Sequence, residues 1–128
     1  MKQSVYIVKV SSKFSAAHGL RHYQGKCESL HGHNFFVEAE VEGNKLDFQT
    51  GLLIDFSEIK TYLNSVMDYL DHSYLNEKKP FDTINPSSEN IARYIYKELE
   101  KKLENHKVST RAVSVSENDN SKAIYTEE

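Results

Sequence analysis

The chain has 128 residues, 38% hydrophobic and 27% charged, with a formal net charge of −3. That length fits one domain, 1–128, with its own core, and the mildly acidic balance excludes a general attraction to nucleic acid or to an anionic membrane surface. No stretch approaches the roughly 20 apolar residues of a membrane span, and a single cysteine excludes an internal disulfide framework, so a reducing, cytoplasmic setting is expected.

Residues 5–10 are rich in β-branched and apolar side chains and predict a strand continuing to about residue 16. If the extended run holds, Phe14, Ala16 and His18 share one face. Residues 19–30 are polar, contain Gly19 and Gly25, and predict a loop carrying Arg21, His22, Lys26 and Cys27. Residues 33–42 alternate cleanly, with Phe35, Val37, Ala39 and Val41 on one face and Phe36, Glu38, Glu40 and Glu42 on the other. His31 and His33 extend the apolar face, and Gly32 between them is expected to let the backbone pack closely behind the pair. Gly43-Asn44 starts a turn.

Asp55 with Glu58 resembles a capping box. After it, Ile59, Tyr62, Leu63, Val66 and Leu70 form one helical stripe that ends at Asp71-His72. Residues 73–86 form a connection with Pro80 and Pro86. Asn85-Pro86 predicts an N-cap and first position for a second helix over about 87–104, with Ile91, Ile95, Leu99 and Leu103 inward. Residues 108–117 predict a strand in which Arg111, Val113, Val115 and Glu117 share a face. A turn at 118–120 leads to a closing strand over 122–125. The order strand-strand-helix-helix-strand-strand predicts an α+β fold, an antiparallel four-stranded sheet with two helices on one face. Its open edges call for covering or for pairing with another chain.

The chemistry-bearing side chains fall into three groups. His31 and His33, two apart on a strand, make a half-site for zinc, and His18 would complete three nitrogen ligands with an open fourth position. Cys27 is then either a further ligand or a nearby acid/base. Asp71-His72 is either an acid/base pair, the carboxylate orienting the imidazole, or an ordinary solvated helix end. Glu117 ends a buried row. It is either desolvated to receive adjacent N–H donors or simply at the rim.

Phe14-x-Ala16-Ala17-His18 followed by Cys27-x-x-x-His31-Gly32-His33-Asn34-Phe35 resembles the 6-pyruvoyltetrahydropterin synthase and 6-carboxytetrahydropterin synthase family. Leu53-Ile54-Asp55-Phe56, Leu70-Asp71-His72-x-x-Leu75-Asn76, Asn85-Pro86-Ser87-Ser88-Glu89-Asn90 and Val115-Ser116-Glu117 extend the likeness over nearly the whole chain. The resemblance implies a tunnelling fold, in which trimers close their sheets into a barrel and stack as a homohexamer with active sites between subunits. It implies His18, His31 and His33 as Zn²⁺ ligands, Cys27, Asp71 and His72 as the catalytic set, and Glu117 as the pterin anchor. Ser87 and Ser88 stand at substrate-binding positions where the family often has Thr, and Glu89 acts in the site or supports the helix start.

The three residues between Cys27 and the His-Gly-His match the bacterial 6-carboxytetrahydropterin synthases. The implied reaction converts 7,8-dihydroneopterin triphosphate to 6-carboxy-5,6,7,8-tetrahydropterin, releasing acetaldehyde and triphosphate on the route to queuosine. By charge type, Arg21, His22 and Lys26 are candidates to meet the triphosphate. Two other readings stand beside this one. One is a 6-pyruvoyltetrahydropterin synthase, which eliminates triphosphate without carbon–carbon cleavage. The other is a non-catalytic zinc module in which Cys27 closes a Cys-His₃ site.

Overall fold

The structure, a computed structural model, describes residues 2–25 and 28–128. Two long strands, β1 (Tyr6–His18) and β2 (His31–Gly43), pair antiparallel over their full lengths, from Tyr6 opposite Gly43 to His18 opposite His31. Helix α1 (Phe56–Leu70) follows, then a two-residue strand β3 (Ser73–Tyr74) and a single 3₁₀ turn (Leu75–Glu77). Helix α2 (Ser88–Lys102) leads to β4 (Ser109–Asn118) and β5 (Ser121–Thr126).

Strand alternation decides which face is covered. Phe35, Val37, Ala39 and Val41 of β2 are fully buried, as are Val113 and Val115 of β4. Phe14 and Phe35 stack across the β1–β2 ladder with ring centroids 4.7 Å apart. Ile59, Leu63 and Leu70 of α1 and Ile91, Ile95 and Leu99 of α2 enter the same core, so both helices lie on one face. Fully burying each of these side chains contributes about 1.5–3 kcal/mol.

Two expectations need correction. The sheet is five-stranded and mixed, in the order β3-β1-β2-β4-β5, and not four-stranded and antiparallel. The added strand arises because His72, at φ 54°, turns the chain sharply after α1. Its N–H then donates to Ser15 O at 2.6 Å. Ser73 and Tyr74 run parallel to β1 opposite Ala16 and Ala17. The second helix also starts two positions later than Asn85-Pro86 implies. Ser87 is its N-cap, and the Ser87 hydroxyl accepts from Asn90 N–H at 3.1 Å. The cap of α1 is as expected, with Asp55 accepting from Ser57 N–H at 2.9 Å.

Candidate active site

The β1–β2 register places His18 directly opposite His31, and His33 opposite Ala16. Because all three side chains project from one face, their ring centroids lie 4.6–5.3 Å apart. One ligand atom from each falls within 4.8 Å of the others. His18 is buried, and its Nδ1 lies 2.7 Å from Pro86 O. A carbonyl only accepts, so Nδ1 carries the proton and Nε2 presents a lone pair. His31 is set the same way, donating Nδ1–H to Ser29 O at 2.9 Å. Burial holds His18 below the ordinary imidazole pKa, against the opposing pull of the Pro86 carbonyl and the Glu117 carboxylate.

Glu117 follows Val113 and Val115 on the inward face of β4. Its Oε1 is 3.3 Å from His18 Nε2 and its Oε2 is 3.4 Å from His33 Nε2. Yet His18 Nε2, buried, makes no hydrogen bond. The proximity and the missing bond are consistent, since a lone pair on nitrogen and a carboxylate oxygen are both acceptors. A buried acceptor facing other acceptors needs a cation between them. Three neutral imidazoles beside a carboxylate form a donor set suited to a divalent metal.

The edge of this cluster opens into a pocket of about 450 Å³ lined by His18, Glu28, His31, Ser87, Ser88 and Glu117, among others. Ser87 spends its hydroxyl on the α2 cap, whereas Ser88 and Glu89 belong to the first turn of that helix. The N-terminus of α2 thus borders the pocket, where its partial positive charge favours anionic groups. Cys27 and Lys26 lie outside the described residues.

Asp71 and His72 are coupled, with Asp71 Oδ2 2.8 Å from His72 Nδ1. Asp71 Oδ1 accepts from Ser15 N–H at 2.8 Å, a bond that holds its carboxyl below the usual range, with His72 adding to the shift. The pair does not line the His18 pocket. His72 is exposed and lines a second groove with Ser15, Ala17, Gly32 and Asn34, which sit on the sheet face opposite the core, and with His33 of the histidine cluster. Within one chain, Asp71 and His72 therefore do not line the pocket that His18, His31 and Glu117 line.

Residues 7–128 match the family model for 6-pyruvoyl tetrahydropterin synthase. The chain belongs to that family. A Synechocystis protein named 6-carboxy-5,6,7,8-tetrahydropterin synthase is 39% identical over 100 residues, covering 75% of this chain and 76% of its own. A Pyrococcus furiosus protein named dihydroneopterin monophosphate aldolase is 38% identical over 92 residues, covering 72% and 73%. The solved structure of Caenorhabditis elegans 6-pyruvoyl tetrahydropterin synthase superposes with a TM-score of 0.83. It covers 100% of this chain and 99% of that one at 22% identity, which speaks for the fold alone.

Against this pterin-synthase frame, several residues take roles that their types did not announce. Arg21 is half-buried and tied into the fold. Its guanidinium donates to Asn85 Oδ1 at 3.3 Å, to Asn76 O at 3.4 Å and to Phe81 O, so it is not held out for a triphosphate. Two asparagines clamp the same loop. Asn76 exchanges two hydrogen bonds with the Gly19 backbone at 3.0 and 2.7 Å, and Asn85 does the same with the Arg21 backbone, both at 2.8 Å. Gly19 is required there, since a Cβ would meet Glu28 O at 2.9 Å. Gly32 is not needed for close packing as expected, because a Cβ would meet nothing within 4 Å. Glu28 lines the pocket and escaped the sequence reading. The available signal was its place between the cysteine and the histidine pair.

Proposed function

We propose that this chain is a zinc-dependent 6-carboxy-5,6,7,8-tetrahydropterin synthase. It would convert 7,8-dihydroneopterin triphosphate to 6-carboxytetrahydropterin, acetaldehyde and triphosphate in the cytoplasm, toward queuosine and other 7-deazapurines. The observation that carries this reading is the buried, partnerless Nε2 of His18 facing His31, His33 and Glu117 at the wall of a pterin-sized pocket. His18, His31 and His33 would hold Zn²⁺ and leave a position open to the substrate. Bound there, zinc supplies Lewis acidity, lowering the pKa of a side-chain hydroxyl.

Cys27 would move protons at the side-chain carbons, and His72, held by Asp71, would be the complementary acid/base. Because Asp71 and His72 do not line the His18 pocket of their own chain, they would complete the pocket of an adjacent copy, a reading that supports a trimer or hexamer. Glu117 would accept two adjacent N–H donors of the pterin ring, with Ser87 and Ser88 bordering the bound ligand. Incubating the zinc-loaded protein with dihydroneopterin triphosphate and identifying the pterin by mass tests the reading. A pyruvoyl product without acetaldehyde would replace it. A second reading, aldol-type cleavage of the same side chain, is favoured by the 38% identity to the aldolase-named relative.

Two further outcomes are expected. Glu117→Gln should weaken pterin binding by about ten- to a hundredfold, since a charge-assisted hydrogen bond is worth roughly 1.5–3 kcal/mol. Zinc content should stay at wild type, measured on the same sample. Loss of zinc instead would make Glu117 a metal ligand and remove it as the pterin anchor. Light scattering of the dilute protein should give a trimer or hexamer, and a fully active monomer would contradict the shared site.

A further inference from the structure

We infer that a groove beside the His18 pocket is the channel for the substrate's phosphate chain, with Lys122 as the first cation to meet it and Lys13 beyond. This rests on the pterin reading above and names the residues that read the phosphates.

Arg21 is tied up in the fold, so the positive charge must come from elsewhere. The His18 pocket adjoins a further cavity of about 620 Å³, because Asn118 and Lys122 line both. Lys13, Phe36 and Ser116 also line that cavity and lie abreast on β1, β2 and β4. Each is next in sequence to a buried apolar residue, so the groove runs along the sheet face opposite the core. Among the described residues Lys13 makes no ion pair, and the hydroxyls of Ser11 and Ser116 make no hydrogen bond. An unpaired ammonium and two unengaged hydroxyls are donors for phosphate oxygens.

Lys122 stands at the junction of the two cavities, held by a carboxylate that does not depend on it. Its Nζ is 2.9 Å from Glu38 Oε1, while Lys9 Nζ is 3.2 Å from Glu38 Oε2. Two ammoniums thus serve one carboxylate. Lys122 and Lys9 hold the Glu38 carboxyl below its usual range, so the acid stays ionised. When a phosphate draws Lys122 away, Lys9 still neutralises Glu38. The Lys122 side chain is 50% exposed, so its ammonium can move on a flexible stem without disturbing the core. Asp119 lines the groove too, but it is exposed on the β4–β5 turn, where water and salt screen it. A chain that is acidic overall thereby gathers a local positive charge beside its pocket.

The test uses zinc-loaded wild type, Lys122→Ala, Lys13→Ala and Glu38→Gln. Each is titrated with neopterin and neopterin triphosphate, whose oxidised ring does not turn over, and binding is read by pterin fluorescence. Zinc content and melting temperature are read on the same samples. The readout is the ratio of the two affinities, which cancels any general change in the pterin pocket. Wild type should favour the triphosphate, and the preference should shrink as salt is added. Each lysine variant should lower the ratio by up to about fivefold, the range for charges that stay half-exposed. Glu38→Gln should raise it by about twofold or more, because both ammoniums are then free for phosphate. That increase separates a phosphate channel from a structural ion pair, whose loss would not tighten binding. The inference is overturned if either lysine variant keeps the wild-type ratio, or if Glu38→Gln lowers it. A wild type that binds the two ligands equally well also overturns it and leaves the proposed function standing. A wild type that binds neither would remove both.

Discussion

Replacing Cys27 with alanine should reduce turnover to 6-carboxytetrahydropterin by about 10²- to 10⁴-fold, the usual contribution of a positioned acid/base group. The same variant should keep its zinc, its melting temperature and its affinity for pterin. Three histidines already present a convergent ligand set, and Glu117 stands beside them without help from the cysteine. A structural Cys-His₃ site predicts the opposite, with metal lost and the domain loosened, because a closed site depends on all four ligands. Zinc analysis and one melting curve separate the two. A Cys27→Ala protein without zinc would falsify the catalytic role.

His31→Ala should strip metal and activity together. His31 is the better ligand to remove than His18, because it is only partly buried and its loss leaves no cavity in the core. The fold should persist, since Phe14, Phe35 and the helix stripes form the core without it. Wild type should gain thermal stability on adding zinc, by about 2.7 kcal/mol when the free ion is a hundredfold above its dissociation constant. The variant should gain little. A His31→Ala protein with full zinc content and an undiminished thermal response would sink the three-histidine assignment.

The long elements were legible because their periodicity is set by burial. The alternation in residues 33–42 and the stripe from Ile59 to Leu70 each repeat often enough to stand out, and both became core. The three-histidine cluster was legible for a related reason. Two histidines two apart must share a strand face, and His18 ends a strand whose inward row includes Phe14 and Ala16. The strand β3 was not legible, because two residues carry no period and their pairing depends on the positive φ of His72. Arg21 was misread for a different reason. Its charge suggests an anion, but whether a guanidinium meets a ligand or three backbone and amide oxygens depends on tertiary neighbours more than 50 residues away. Asn85 looked like a cap by its step to proline, and instead it holds the loop after His18.

The one bond from His18 to Pro86 has a bearing on when the protein becomes able to take up metal. His18, His31 and His33 are all made early, and the β1–β2 pairing alone brings them together. The carbonyl that orients the His18 ring lies 68 residues further along. During synthesis from the N-terminus, a nascent chain would therefore display three histidines before anything selects the tautomer of the first. Firm loading of the proposed metal would then wait for the docking of the segment before α2, after most of the chain has been made. A half-made chain would hold an ion loosely and could exchange it.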